Sequence, residues 1–544
     1  MSLAGLGGRP VFARNTSWGG SSNTSWGGSS NTSWGGTAST SWGGSSNTSW
    51  GGGRGRAAMT ALAVVLPLLA VLPFARPATT HRVVVVGAHA GQALHRVGAT
   101  DVSLLTNGVA VGRASATASG SLRSSGFKVA PDSPVQLDGA PAFPQGPDTG
   151  GRLSVRDVTG AALLGTGKGE TIAVIDSGVN NSPAFGRRLV QGADFTGTGF
   201  DDGYGHGTFV ASLAAGAGGR ASNGIEGVAP GARVVSVKVA DSRGRSTVGQ
   251  VVAGLAWVIQ HRADYDIDVV NLSLSAKHAS SYLTDPLDAL VEAAWFSGMT
   301  VVASAGNDGG PVDSAPGNDP FVLTVGSVAD MNTLTQADDT LSPYSNNGST
   351  PDGVAKPEIT APGEHVQAAL PEGSLLSTLQ TVTGLPRGYG QLSGTSMAAG
   401  VASGAAAVLQ SLHRDWTPGQ VKGALQQTHG NNGEMRLLAA AMARPTDVTT
   451  GLTPSLALAV AYAQQVAHTR AYSDVVWSDV VWSDVVWSDV ANVVKTAATW
   501  SNAVWSDATW SNAVWSDAVW SDATWSDAVW ADATWSDGQS RSFG

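Results

Sequence analysis

Between residues 150 and 445, short and wholly apolar runs alternate with longer stretches whose apolar positions recur every three or four residues. The apolar runs predict buried strands at Thr171–Ile175, Arg233–Val239, Asp268–Leu274, Thr300–Ser304 and Phe321–Val325. The longer stretches predict helices at Gly207–Ala215, Val248–His261, Pro286–Ser297, Ser396–Leu412 and Pro418–Gln427. Two helices carry start signals: Asp285 ahead of Pro286, and Thr417-Pro-Gly-Gln420, a capping box with proline in its first turn. Strands of this kind, interleaved with helices, belong to a parallel sheet covered on both faces. The fold class is therefore α/β.

Elsewhere the pattern changes several times. Residues 1–56 repeat an eight-residue unit that places Trp18, Trp26, Trp34, Trp42 and Trp50 among Gly and Ser, a composition that builds no core. Residues 57–78 follow Arg54 and Arg56 with an apolar run, Ala57 to Phe74, broken by Pro67 and Pro73. This reads as an export signal, with translation starting at or just before Met59, or as a membrane anchor behind a repeat-bearing tail. Residues 79–149 carry a strand at Arg82–Val86 and a helical turn at Gln92–Arg96. Apolar pieces follow at Val109–Val111, Leu122, Phe127–Val129 and Pro134–Leu137. From pattern alone these pieces read as a small domain or an unstructured spacer, ending in a Pro/Gly-rich linker, Leu137–Pro147. Residues 446–471 read as a helical linker.

Residues 472–544 repeat a pentad, Ala/Val-Val/Thr-Trp-Ser-Asp, with Trp477, Trp482 and Trp487, then Trp500 through Trp535 at every fifth position. That period suits neither an amphipathic helix nor a flat strand. Two readings stand: a coil with a fixed number of pentads per turn, or a flexible acidic tail.

Composition narrows the function. At 544 residues there is room for two or three domains, and the absence of cysteine excludes disulfides and thiolate metal sites. The formal charge is −10, but Ser473–Asp537 holds ten Asp and one Lys, so the remainder is near neutral. With no basic cluster interleaved with aromatics, nucleic-acid binding has no support.

The chemistry sits in four stretches. Asp176 ends the apolar strand Thr171-Ile-Ala-Val-Ile, His206 stands between Gly205 and Gly207, and Ser396 opens a helix of small residues in Ser393-Gly-Thr-Ser396-Met-Ala-Ala. Asn307 follows another buried strand in Val301-Val-Ala-Ser-Ala-Gly306-Asn307. Taken singly, each has a plain structural reading: a strand-end acid, a loop histidine, a helix cap. Together they supply a carboxylate, a base, a nucleophile and an amide donor in one of the chain orders in which a serine triad occurs.

These motifs resemble the subtilisin-like serine proteases, the subtilases, over about Gly150 to Arg444. The resemblance implies a subtilisin-like parallel sheet with helices on both faces and a catalytic set of Asp176, His206, Ser396 and Asn307. It implies that residues 79–149 are a small, reduced α+β propeptide, inhibitory and self-processed, the chain's own partner, and that the substrates are proteins or peptides. It places substrate along Ser273, Leu274 and Ser275 and along Ser242–Arg245 with Gly244, beside a pocket at Ala305 and Gly306. No cofactor is required for the chemistry; structural calcium is known in the family, but no Asp-rich loop here names its ligands. Two positions depart from the family pattern. Ser275 stands where glycine is usual, and Gly400 follows the nucleophile where proline is usual, which predicts a looser first turn. The expected location is secreted or cell-surface, with membrane association open and the tail's ligand unassigned. A rival reading is a surface or adhesive repeat protein carrying an idle subtilase domain.

Overall fold

A computed structural model of the chain describes residues 79–137 and 153–455, apart from 107, 220, 221, 381 and 383, together with short strands between 476 and 535. The Trp-Gly repeat, the signal or anchor, the linker after Leu137 and residues 456–471 of the expected helical linker lie outside the described residues. Among the described residues no helix is long and apolar enough to cross a membrane.

The main sheet has eight strands. Seven lie in the order Thr340–Leu341, Leu323–Ala329, Thr300–Ser304, Val269–Leu272, Thr171–Asp176, Arg233–Lys238, Leu189–Asp194, and Ile359–Pro362 also pairs with Leu323–Ala329. Every pairing is parallel except that of the short edge strand Thr340–Leu341. Strand alternation sorts the side chains into two cores. Ile172, Val174, Val234 and Val302 join the core that holds the helices His206–Ala215 and Thr395–Leu412. Ala173, Ile175, Val235 and Val301 join the opposite core with Val248–Gln260 and Pro286–Phe296. Both faces are buried, which is why these strands show no polar alternation in the sequence.

Helix boundaries follow local chemistry. Asp285 Oδ1 accepts from Leu287 N at 2.8 Å, and Thr417 and Gln420 form the reciprocal capping box. The helices His206–Ala215 and Thr395–Leu412 cross at very short range. A Cβ on Gly400 would lie 2.9 Å from Val210 O, and one on Gly404 would lie 2.6 Å from Ala214 O. Gly400 therefore serves helix packing, a reason that the looser first turn expected from its sequence position does not contain.

Two strands differ from the pattern's expectation. The stretch predicted at Asp268–Leu274 divides at Ser273 into Val269–Leu272 and Leu274–Ala276, because the second piece leaves the main sheet to pair elsewhere. The strand expected from Phe321 begins at Leu323, because the Phe321 amide bonds to Asp319 Oδ1 in a turn.

Residues 79–131 form a small α+β unit. Its four-stranded antiparallel sheet runs Thr100–Thr106, Val109–Ser115, Thr80–Val86, Lys128–Pro131, with helices Ala90–Arg96 and Ala116–Ser124. Val83, Val85, Leu94 and Leu122 make its own core. Val84, Val86, Val109 and Val111, on the other face, belong to the same apolar cluster as Val251 and Leu255 of the Val248–Gln260 helix. A Cβ on Gly249 would lie 2.7 Å from Val111 Cγ1, so glycine is what lets the two surfaces close.

In the pentad region, short strands pair in parallel. Val504–Ser506 pairs with Thr524–Ser526, Thr509–Ser511 with Val529–Ala531, and Val514–Trp515 with Thr534–Trp535. Trp505 is thus in register with Trp525, and Trp510 with Trp530, a spacing of four pentads.

Candidate active site

The sheet changes direction at its centre. From Thr171–Asp176 the chain runs to the edge strand Leu189–Asp194, returns through Arg233–Lys238 beside the central strand, then crosses to Val269–Leu272 on the other side. A crevice opens at the carboxyl ends of strands flanking such a switch point. Asp176 is the last residue of the central strand and is fully buried.

His206 begins its helix against that carboxylate. Its Nδ1 lies 2.8 and 2.9 Å from the two Asp176 oxygens, and the side chain has no exposed surface. An Nδ1–H that donates to a carboxylate leaves the imidazole lone pair on Nε2. The glycines beside the histidine have specific causes. Gly205 sits at φ +100, and a Cβ on Gly207 would lie 2.2 Å from Gly178 O and 3.0 Å from Asp176 Cβ.

A second buried acid braces this pair. Asp202 Oδ1 accepts from Gly205 N at 2.7 Å and from Ser177 Oγ at 2.8 Å, while Oδ2 accepts from Thr208 N and Thr208 Oγ1 at 2.8 and 2.7 Å. Ser177 N in turn donates to Asp176 Oδ1 at 2.7 Å. Burial pushes the Asp202 carboxyl up, and these hydrogen bonds pull it back. Tyr204 lies beside them, its ring 6.1 Å from the His206 ring, its phenol raised by burial and by the Asp176 and Asp202 charges. Sequence reasoning missed Asp202, Ser177, Thr208 and Tyr204. The only signals were closeness in sequence: Asp202 and Tyr204 lie in the acidic turn Asp201-Asp202-Gly-Tyr204-Gly-His206, Ser177 follows Asp176, and Thr208 comes two residues after His206.

Ser396 is the second residue of the helix Thr395–Leu412, where unpaired backbone amides favour negative charge. Its Oγ donates to Ser273 O at 3.0 Å, and Ser273 Oγ lies 2.9 Å from the Ser396 carbonyl. Ser273 thus ties the serine's helix to the cleft strand, in addition to the substrate contact expected of it. Asn307 is aimed by Thr395: Asn307 Oδ1 accepts from Thr395 N at 2.9 Å and from Thr395 Oγ1 at 3.0 Å. These two bonds fix the carbonyl end of the Asn307 amide. Gly306 N reaches Thr395 Oγ1 at 3.2 Å, and its φ of +103 brings its α-carbon face against the Asn346 amide. Ala305 N is fixed to Val325 O at 3.1 Å.

The cleft edges hold a strand of the chain itself. Pro134–Leu137 pairs antiparallel with Leu274–Ala276, Leu137 opposite Leu274 and Gln136 opposite Ser275, and on its other side with Ser246–Thr247. The second edge therefore lies just past the expected Ser242–Arg245. That stretch is instead a turn closed by Asp241 N to Arg245 O at 3.0 Å, in which Gly244 backs onto the Tyr204 ring. Asp132 anchors the strand's approach: Gly249 N donates to Oδ1 at 2.8 Å and Arg82 Nε to Oδ2 at 2.6 Å. Among the described residues no group of three or more His, Asp or Glu side chains is arranged to hold a metal ion.

An imidazole on a buried carboxylate, a hydroxyl at a helix start and an oriented amide are the groups of a serine hydrolase built on an open α/β sheet. A family model described as the Subtilase family matches residues 167–446, more than half of the chain, and the chain belongs to that family. It is 35% identical over 270 residues to serine protease AprX of Bacillus subtilis and 34% identical over 271 residues to subtilisin E of the same organism. Each match covers 48% of this chain and 61% of the relative's length. A subtilisin of Bacillus pumilus is 33% identical, with 84% of its length covered. A solved cold adapted subtilisin-like serine proteinase is 31% identical over 50% of this chain and 85% of that one, with a TM-score of 0.39.

Proposed function

We propose that the chain is an exported serine endopeptidase, made as a precursor that processes itself. The observation that carries this reading is the double contact of His206 Nδ1 with the buried Asp176 carboxylate, at 2.8 and 2.9 Å. A serine hydroxyl is a weak nucleophile at neutral pH, so an imidazole must take its proton as it attacks. His206 does this from Nε2 and then protonates the leaving amine, while Asp176 holds the tautomer and stabilises the imidazolium. The tetrahedral oxyanion receives the Asn307 amide and the Ser396 N–H. In hydrolases of this family, loss of one such side-chain donor costs about 10²–10³ in turnover.

Substrate binds as Pro134–Leu137 does, by adding an extended strand between two backbone edges. In that strand Val135 and Leu137 are buried while Pro134 and Gln136 are exposed, so apolar side chains at alternate positions fit best. Occupation of the cleft by the chain's own strand supports residues 79–137 as an inhibitor, with processing in the linker that follows. The acidic pentad tail then retains the mature enzyme at a surface or matrix.

Hydrolysis of casein by the purified protein, compared with its Ser396→Ala variant and with protein treated with a serine-directed phosphonate, tests the assignment. Activity is expected only in the untreated wild type. Equal hydrolysis by wild type and variant would defeat it and leave the idle-domain reading in place.

A further inference from the structure

The short strands of the pentad region form three parallel ladders. One runs Val476–Ser478, Val504–Ser506, Thr524–Ser526, and a second runs Val481–Ser483, Thr509–Ser511, Val529–Ala531. The third pairs Val514–Trp515 with Thr534–Trp535. Trp477, Trp505 and Trp525 hold one register position, and Trp482, Trp510 and Trp530 another. Every pairing is parallel and in register, so successive turns repeat along one axis at about 4.8 Å per turn.

Such a coil has two unlike ends. Among the described residues, Val476–Ser478 and Val481–Ser483 pair on one side only, and so do Thr524–Ser526 and Val529–Ala531 at the opposite end. An edge of unpaired N–H and C=O groups is a template for a further strand. Repeat folds close these edges with terminal units whose sequence departs from the repeat. The outer strands here keep it. Thr524-Trp-Ser already pairs with Val504-Trp-Ser, and Val476-Trp-Ser at the far end is the same tripeptide. Val529-Trp-Ala pairs with Thr509-Trp-Ser, from which Val481-Trp-Ser differs only in its first, β-branched residue.

We propose that the last turn of one chain's coil takes the first turn of a second copy, so that the tails join head to tail. The ends are unlike, so the contact is heterologous and grows into an open filament. The tail's partner is then another tail, whether or not the peptidase is active. Charge sets the conditions. In the second ladder the strands are followed by Asp484, Asn512 and Asp532, so an amide stands between two carboxylates. At the junction position 532 of one chain adjoins position 484 of the next, Asp on Asp, and Asp527 likewise adjoins Asp479. Like charges one ladder step apart repel at low ionic strength and are screened near 1 M salt, so joining needs salt.

The chain has no cysteine, so introduced cysteines report the register. The full chain is used in the Ser396→Ala background, which keeps autolysis from removing the tail. One preparation carries Ser478→Cys and another Ser526→Cys. They are mixed and treated with a short bis-maleimide at about 0.02 M and about 1 M sodium chloride. The mixture should give a two-chain product, several-fold more of it at high salt, and neither preparation alone should match that yield. A chain carrying both Ser506→Cys and Ser526→Cys should close on itself in either salt, which reads the internal ladder. Closure of that chain with no two-chain product from the mixture would overturn the proposal. So would equal cross-linking by either preparation alone, or a yield that falls as salt is added. Failure of the doubly substituted chain to close would overturn it as well, because the coil that offers the two ends would be missing.

Discussion

Thr395 donates to Asn307 Oδ1 from both its amide and its hydroxyl, at 2.9 and 3.0 Å, one position before Ser396. In the proposed mechanism, the helix that presents Ser396 therefore also aims the oxyanion donor, and one element sets two reacting groups. Thr395→Val removes the hydroxyl contact and keeps the shape. Turnover should fall about 10-fold with KM nearly unchanged, against the 10²–10³ loss expected from Asn307→Ala. Thr395→Ser should recover most of the rate. A Thr395→Val defect confined to KM would contradict the aiming role.

Asp132 joins the 79–137 unit to the peptidase helix through Gly249 N and Arg82. Asp132→Ala leaves a buried amide without its acceptor, a loss of about 1–3 kcal/mol. The unit should then hold the cleft at least several-fold more weakly, and the lag before casein hydrolysis appears should shorten. An unchanged lag would show that inhibition rests on the cleft strand alone.

Gly404 permits the crossing of the His206 and Ser396 helices, where a Cβ would lie 2.6 Å from Ala214 O. Helix propensity favours alanine over glycine by about 1 kcal/mol. Overpacking against rigid backbone costs about 1–3 kcal/mol and should win. Gly404→Ala is expected to lower the melting temperature by roughly 2–6 °C, read by calorimetry. A rise would mean that the helices separate freely.

Glu170 is pushed up to about 7, by burial first and then by the Asp268 charge, with Arg414 opposing. A carboxyl raised in the folded state contributes stability that is whole below its unfolded value near 4.5 and is lost as pH rises through about 7. Glu170→Gln should therefore gain about 1–2 kcal/mol over wild type at pH 8.5 and nothing at pH 4. Melting curves at the two pH values check this; an advantage at pH 4 alone would reverse the sign.

The sequence already contained the strands that carry the site. Thr171–Ile175 and Thr300–Ser304 read as buried because side chains on both faces meet helices, and a strand covered on both sides has little room for polar positions. The strands Leu189–Asp194 and Ile359–Pro362 escaped the reading, the first because it is a half-exposed edge, the second because it ends in proline. The start signals at Asp285 and Thr417 worked because a cap is settled within four residues.

Local pattern also named Asp176, His206, Asn307 and Ser396, since each stands at a strand end, in a turn or at a helix start whose geometry is written in its immediate neighbours. It did not show Asp202 behind Ser177, Thr395 on Asn307, or Leu137 opposite Leu274. Those pairings join residues far apart in the chain or depend on which way a side chain turns. Short-range spacing encodes backbone conformation and burial, whereas hydrogen-bond partners are chosen only when distant segments arrive in one place.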